Sequence, residues 1–261
     1  MSVRTSPWPA GVPCWVELTS PDVDAAKSFY SAVCGWDYDD AAPEYGGYVT
    51  AKVGGQAAAG ITPRQEGAPV AWTPYLASDD VDATAQAVTD NGGSLVVPPG
   101  DVGDLGRMCL ATEPGGGVFG VWQHGAMIGA GSTNGPGGLT WEDLRSSDPD
   151  AARSFFGAVF GYHFDAIPDA PGDYTTFALA GQEAPLGGVG GLGDDSGPGW
   201  AVYFGVTDAD AAVAAATASG GSVRSEPFDT PYGRMAGLTD PGGAPVWVVE
   251  MPAEGSPGSQ G

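Results

Sequence analysis

Residues Leu139–Phe156 read LTWEDLRSSDPDAARSFF, and nearly the same text stands earlier in the chain. Residues Trp15–Tyr30 read WVELTSPDVDAAKSFY, so aligning the two stretches places one tryptophan on the other. Self-similarity over a long fixed offset indicates an internal duplication. The sequence therefore predicts two homologous halves, each opened by one copy of this stretch.

Each half contains a shorter pattern twice. The first unit, over 15–62, has a strand, a helix that Ser20 or Asp22 can cap, and three short strands. The second unit, over 72–123, repeats this order of elements. Four such units in the chain predict an α+β protein made of tandem β-α-β-β-β units.

Composition marks the borders between these regions. We predict a first domain over 12–123, a glycine-rich linker over 124–138, a second domain over 139–251 and a disordered tail over 252–261. Residues Gly188–Gly193 match GxGxxG, but no helix follows them, as a dinucleotide site requires. We interpret that stretch as a flexible loop.

The charge of the chain excludes some partners. It contains 32 Asp and Glu against 9 Lys and Arg, for a net charge of −23. Such a chain repels nucleic acids and anionic membranes, so neither is an expected partner. Its three cysteines have no metal-binding spacing, and neither a signal segment nor an apolar membrane span is apparent. We expect a cytoplasmic monomer or homodimer whose partner is a small molecule.

Three repeated motifs resemble those of a known superfamily. They are SxDxxxAxxF on the first helix, a Gly-Gly pair ending the second helix, and a Gly-Arg strand before a (D/E)PGG turn. This pattern resembles the glyoxalase/bleomycin-resistance/extradiol-dioxygenase (vicinal oxygen chelate) superfamily over Pro13–Gln123 and Leu139–Glu250. The W-x-(E/D)-L opening is most similar to the two-domain actinobacterial glyoxalase-like proteins, often named glyoxalase or hydroxylase. The resemblance implies two cupped, pseudo-barrel domains, whose units pair either within one domain or between domains.

In metal-dependent members of this superfamily, His, Gln or Glu ligands come from the first and last strands of the units. The resemblance places those positions here at Trp15, Thr73, Gly120, Trp141, Ala201 and Trp247. None of these six side chains offers a carboxylate or an imidazole to a divalent metal. We therefore predict no metal and no cofactor.

Aromatic side chains stand on the face that would hold the metal, together with one carboxylate in each half. The predicted ligand-binding residues are Trp15, Tyr48, Tyr75, Arg107, Trp122, Trp141, Tyr174, Tyr203, Arg234 and Trp247. The candidate catalytic residues are Glu17 and Asp143, and a buried carboxylate needs a partner. Arg107 and Arg234 are the candidate partners, in ion pairs that are either structural or catalytic.

These residues leave three hypotheses open. An aromatic cup with one carboxylate suits a metal-free protein that binds a small aromatic or polyketide-like molecule, for sequestration, resistance or an accessory metabolic step. Alternatively, the protein is a lyase or hydroxylase in which Glu17 or Asp143 is a general base on a carbonyl substrate. In the third hypothesis the aromatic side chains fill closed cores and the cups are collapsed.

Overall fold

The structure is a computed structural model that describes residues 2–168, 170, 173–192 and 197–251. The tail predicted over 252–261 lies outside the described residues. The helices are α1 (Val23–Cys34), α2 (Val81–Asp90), α3 (Pro149–Phe160) and α4 (Ala209–Ala218). The strands are β1 (Ser2–Val3), β2 (Pro13–Ser20), β3 (Asp37–Tyr38), β4 (Val49–Val53), β5 (Gln56–Pro63), β6 (Ala71–Ala77), β7 (Ser94–Val102), β8 (Gly106–Thr112), β9 (Val118–His124), β10 (Ser132–Thr133), β11 (Leu139–Ser146), β12 (Tyr162–Ala166), β13 (Thr175–Leu179), β14 (Gly187–Gly191), β15 (Gly199–Val206), β16 (Ser222–Thr230), β17 (Gly233–Thr239) and β18 (Pro245–Glu250).

Each of the four α-helices in the described residues begins at an aspartate whose side chain caps the first turn. Asp22 accepts a hydrogen bond from the Ala25 backbone N–H at 2.9 Å, which decides between the two predicted caps. Ser20 instead accepts from the backbone N–H of Asp22. Helices α1 and α3 both end at a glycine with φ near +70°, a conformation that glycine adopts without a Cβ clash. The duplicated sequence therefore encodes duplicated helix ends.

Two sheets hold the four units, and the two units in each sheet come from the same half of the chain. The first has the order β3-β4-β5-β2-β6-β9-β8-β7. The second has the order β12-β13-β14-β11-β15-β18-β17-β16, with β10 and β1 attached beside β11. In each sheet the first strands of the two units meet antiparallel at the centre. The α+β arrangement of tandem β-α-β-β-β units is confirmed, and the units pair within a half.

Two segments are more regular than the sequence indicated. The predicted linker, over 124–138, contains β10, and the Gly137 carbonyl accepts a hydrogen bond from Trp36 Nε1 at 2.7 Å. The prediction of a flexible loop at Gly188–Gly193 is wrong for its first four residues, which belong to β14 and pair with β11. Pairing between strands uses backbone groups alone, so glycines are accepted there.

The helices pack across the two halves. Helix α1 lies against α4 in one hydrophobic core, and α2 lies against α3 in another. A Cβ on Gly221 would lie 2.4 Å from the Phe29 ring, and one on Gly93 would lie 2.8 Å from the Phe155 ring. The repeated phenylalanine of one half therefore fits against the repeated Gly-Gly pair of the other.

A polar contact also joins the halves inside the first of these cores. The Tyr30 hydroxyl donates to Asp240 Oδ2 at 3.3 Å and accepts from Trp72 Nε1 at 3.0 Å. The Phe204 ring, from the second half, packs edge-on against the Trp36 ring at 4.9 Å. Among the described residues no helix is long and apolar enough to cross a membrane.

Candidate ligand-binding site

A cavity of about 490 Å³ opens on the face of the first sheet that points away from the helices. Its walls come from both units of the first half and from the turn between β7 and β8. The lining is Trp15, Glu17, Glu44, Tyr45, Tyr48, Tyr75, Asp101, Val102, Leu105, Met108, Leu110, Trp122 and Met127. Five of the predicted ligand-binding or catalytic residues of the first half therefore lie together: Trp15, Glu17, Tyr48, Tyr75 and Trp122.

Strand periodicity explains why these side chains converge. Alternate residues of a strand point to the same face, so Trp15 and Glu17 share the cup side of β2. Strand β6 runs antiparallel beside it and places Tyr75 opposite Trp15. Glycines leave room for the rings: a Cβ on Gly60 would lie 1.8 Å from the Tyr48 hydroxyl, and one on Gly120 would lie 2.1 Å from the Tyr75 ring.

Glu17 supplies a carboxyl group at the floor of the cup. It keeps some accessible surface because it faces the cavity, yet it lies deep below the protein surface. Burial raises the pKa of Glu17 to about 7, although hydrogen bonds from Tyr48 and Tyr75 act to lower it. Trp15 Nε1 donates to the Tyr48 hydroxyl at 2.9 Å, which holds that tyrosine in place. Glu17 can therefore exchange a proton near neutral pH.

Asp143, the matching carboxylate of the second half, is fully engaged by its neighbours. Its Oδ1 accepts from Trp141 Nε1 at 2.7 Å and from the Tyr174 hydroxyl at 2.6 Å. Its Oδ2 accepts from the Tyr203 hydroxyl at 2.9 Å and lies 3.0 Å from Arg145 Nη2. The carboxylate is 3% exposed, so these four groups replace its water. Both oxygens of Asp143 are therefore already bonded within the protein.

Trp247, one of the predicted ligand-binding residues, lies beside Tyr203 in the second cup. Its ring stacks on the Tyr203 ring with centroids 5.7 Å apart and planes within 12°. In the first half the residue paired with Tyr75 is Gly120, whereas in the second half the residue paired with Tyr203 is Trp247. The second cup therefore has an indole beside its tyrosine, whereas in the first cup the corresponding residue is a glycine without a side chain.

The prediction that Arg107 and Arg234 pair with the cup carboxylates is wrong. Arg107 lies on the helix side of β8 and pairs with Asp82 of α2, and with Asp101 at 2.7 Å. Arg234 makes the equivalent ion pair with Asp210 of α4 at 2.7 Å. Alternation along the strand explains this, since Met108, the residue after Arg107, faces the first cup.

Two functional side chains were missed by sequence reasoning. Arg145 follows Asp143 by two positions on one strand face, a spacing that could have identified it as the partner. Glu142 lies between Trp141 and Asp143, so it points away from the cup and towards the helices. It is 2% exposed, and no donor among the described residues bonds its Oε1. Burial, followed by the nearby Asp143 charge, raises the pKa of Glu142 to about 8.

Comparison with known families agrees with this architecture. The profile of the Glyoxalase/Bleomycin resistance protein/Dioxygenase superfamily matches the chain twice, at residues 14–121 and 133–248. The chain belongs to this superfamily. The resemblance inferred from the repeated motifs is thereby confirmed, and so is a fold of two cupped, pseudo-barrel glyoxalase-like domains.

Named relatives of this glyoxalase-superfamily chain extend along its whole length. CFP32 of Mycobacterium tuberculosis (strain CDC 1551 / Oshkosh), whose name assigns it provisionally to the glyoxylases, is 41% identical over 96% of this chain and 98% of its own. The anthracycline biosynthesis protein DnrV of Streptomyces peucetius is 38% identical over 96% of this chain and 97% of its own.

Among solved structures, the Mn(II)-bound glyoxalase from Novosphingobium aromaticivorans has a TM-score of 0.66 and 18% identity. The match covers 93% of this chain and 83% of that one. The 2,3-dioxygenase LapB from Pseudomonas sp. KL28 also has a TM-score of 0.66, at 13% identity, and the match covers 92% of each chain. These likenesses show a shared fold.

The residues of the first cup do not fit a divalent metal. At the positions where the resemblance places ligands stand Trp15, Thr73 and Gly120, and the Tyr75 ring fills the space beside Gly120. Within the described ranges no group of three or more His, Cys, Asp or Glu side chains could hold a metal ion. A carboxyl held by two tyrosine hydroxyls, as Glu17 is, suits proton exchange and hydrogen bonding instead.

Proposed function

We propose that the first cup binds a small planar aromatic or polyketide-like molecule without the aid of a metal. The observation that carries this proposal is the cavity of about 490 Å³, whose lining combines several aromatic side chains with the buried carboxyl of Glu17. Binding sites for small molecules are concave, mostly apolar, and contain a few placed polar groups, typically in 300–1,000 Å³. The first cup has each of these properties.

The lining suits a flat ring system. Trp15 and Trp122 line the cavity with aromatic side chains, and Met108 and Met127 add thioethers, which make favourable contacts with aromatic rings. Glu17 adds a group that accepts a hydrogen bond when ionised and donates one when protonated. A phenol on the edge of a planar ligand can donate to the ionised carboxylate, and a carbonyl can accept from the protonated carboxylic acid.

The relatives support the same class of ligand. DnrV is named for anthracycline biosynthesis, and anthracyclines contain a planar fused-ring polyketide core. The role that follows for this chain is sequestration, resistance or an accessory step on such a compound. The second cup supports this role less well, because Arg145 and three other donors already engage Asp143 and Trp247 stacks in the cup.

Fluorescence titration with 1,8-dihydroxyanthraquinone tests the proposal. We expect saturable quenching in the parent protein and roughly 10–100-fold weaker binding in Trp15→Ala, since a stacked aromatic contributes about 1–3 kcal/mol. The matched control is Trp141→Ala in the second half, which should bind as the parent does. Melting curves of both variants identify any loss caused by unfolding. Absence of quenching in the folded parent, or equal weakening in both variants, would refute the proposal.

A second candidate function is favoured by the raised pKa of Glu17. A general base works best when its pKa lies near the working pH, and burial brings Glu17 to about 7. In a lyase-type reaction, Glu17 would take a proton from the carbon beside a bound carbonyl group. Asp143 fits this role poorly, because protein groups, Arg145 among them, already engage both of its oxygens.

The variants Glu17→Gln and Asp143→Asn distinguish the two candidate functions. If the protein only binds, Glu17→Gln should keep most of the affinity, and no product should form in the parent. If Glu17 is a base, the parent should convert a carbonyl-containing ligand without added metal, and Glu17→Gln should abolish conversion while binding persists. Asp143→Asn serves as the comparison in the second half. Conversion that survives in Glu17→Gln would contradict the base role.

A further inference from the structure

A second cavity, of about 250 Å³, lies between the start of the first half and β11, beside Trp141 of the second cup. Its apolar lining residues include Trp8, Val12 and Pro13 from the first half and Leu139 and Leu186 from the second, and its polar ones include Asn134 and Thr140. At about 30 Å³ for each water molecule, it has room for a molecule of about eight heavy atoms. Such a volume suits a compact ligand rather than a fused-ring system.

Glu142 is one of the residues that line this cavity. It is 2% exposed, and its Oε1 has no hydrogen-bond donor among the described residues. The matching residue of the first half is Val16, which is fully buried and apolar. The first half therefore fills this position with an apolar side chain. The second half buries a carboxyl there, which carries a considerable desolvation penalty.

We propose that this cavity binds a small apolar molecule that bears one ammonium group, with Glu142 as its counter-ion. A buried unpaired carboxyl destabilises a protein, and a cation placed beside it offsets that penalty. The apolar walls would enclose the body of the ligand, and the carboxylate would accept hydrogen bonds from its ammonium group. The net charge of −23 adds a negative potential that favours cations over anions.

The groups around Glu142 set the pH dependence of this site. Asp143 lies beside it on β11, while the Cys14 thiol of β2 and the Tyr162 hydroxyl of β12 lie within electrostatic reach. None of the three supplies a positive charge. Burial raises the pKa of Glu142 to about 8, so the ligand must bind the minority carboxylate form below that pH and release a proton as it binds. Affinity should therefore increase from pH 6 to pH 8.

Benzylamine and benzyl alcohol are a matched pair of probes, nearly equal in size and different in charge. Isothermal titration of the whole protein should show benzylamine binding that strengthens between pH 6 and pH 8, and benzyl alcohol binding roughly tenfold or more weaker. Glu142→Gln and Glu142→Val should both lose benzylamine affinity by roughly the same factor. The valine variant copies the first half, so it is expected to fold.

Two control variants test whether benzylamine binds at Glu142 rather than at the acidic surface or in the first cup. Glu183→Gln removes the same charge from an exposed residue near the cavity and should leave benzylamine affinity unchanged. Trp15→Phe alters the first cup and should also leave it unchanged, so the result does not depend on the function proposed for that cup. Undetectable benzylamine binding, equal binding of the alcohol, or unaltered affinity in Glu142→Gln would each overturn the proposal.

Discussion

The raised pKa of Glu17 has a consequence for stability that can be measured without knowing the ligand. Burial raises the pKa from 4.5 to about 7, so the folded protein holds this proton more tightly than the unfolded chain does. Below pH 4.5 both states carry the proton, and the contribution of Glu17 to stability is fully present. As pH rises through 7, the folded state must ionise a buried group and this contribution is lost.

The size of the loss follows from the shift in pKa. At about 1.4 kcal/mol for each pKa unit, the shift from 4.5 to about 7 corresponds to at most about 3–4 kcal/mol, an order-of-magnitude limit. Water in the cup solvates the ionised carboxylate and reduces this value. Glu17→Gln removes the titration but keeps the shape of the side chain. Relative to its parent, the variant should therefore be more stable at pH 9 than at pH 5, by up to about 3–4 kcal/mol.

Urea unfolding at pH 5 and pH 9 measures this difference. The parent should carry Glu142→Gln, because Glu142 also titrates in this range and would add its own loss. The free energy of unfolding is then compared between Glu142→Gln and the Glu17→Gln/Glu142→Gln double variant, at each pH. Contributions of surface charges are common to both proteins and cancel in the difference. If Glu17→Gln changes the free energy of unfolding equally at both pH values, or stabilises the protein more at pH 5, then ionisation of Glu17 does not destabilise the folded state. Either result would refute the reasoning.

Three shorter predictions concern packing and surface contacts. Gly60→Ala should lower the melting temperature and weaken ligand binding in the first cup, because the new methyl group would meet the Tyr48 hydroxyl at 1.8 Å; calorimetry and titration report the two effects. Tyr30→Phe should destabilise the protein by about 1 kcal/mol in urea unfolding, since it leaves buried Asp240 without this hydrogen bond between the halves. Arg107→Ala should leave both ligand affinity and the urea midpoint of unfolding nearly unchanged, because its ion pairs are on the surface. A large loss of affinity would show that Arg107 contributes to ligand binding in the first cup.

Local sequence signals were sufficient to predict the repeated unit and the faces of its strands. Capping by Asp22 and termination at Gly35 are written in neighbouring residues, so the helix could be placed from them. Period-two alternation placed Trp15 and Glu17 on one face of β2, and the antiparallel register added Tyr75. These features depend on few residues and short distances.

The electrostatic partners of the site could not be predicted by comparing the two halves alone. Arg107 and Arg234 were chosen because they repeat, and repetition here reflects ion pairs to the helices rather than a role in the cup. Arg145 and Glu142 occur in one half only, and they distinguish the second half from the first. Differences between duplicated units were therefore more informative about chemistry than the matches were.

The packing of α1 on α4 and of α2 on α3 also determines how the protein can come apart. Each of these two hydrophobic cores contains one helix from each half, so unfolding one half exposes apolar surface of the other half to water. A two-domain chain often melts in two steps, but here we expect one cooperative transition whose calorimetric and van't Hoff enthalpies agree. For the same reason, a destabilising substitution in either half should be felt by both, and the two cups should lose their shape together.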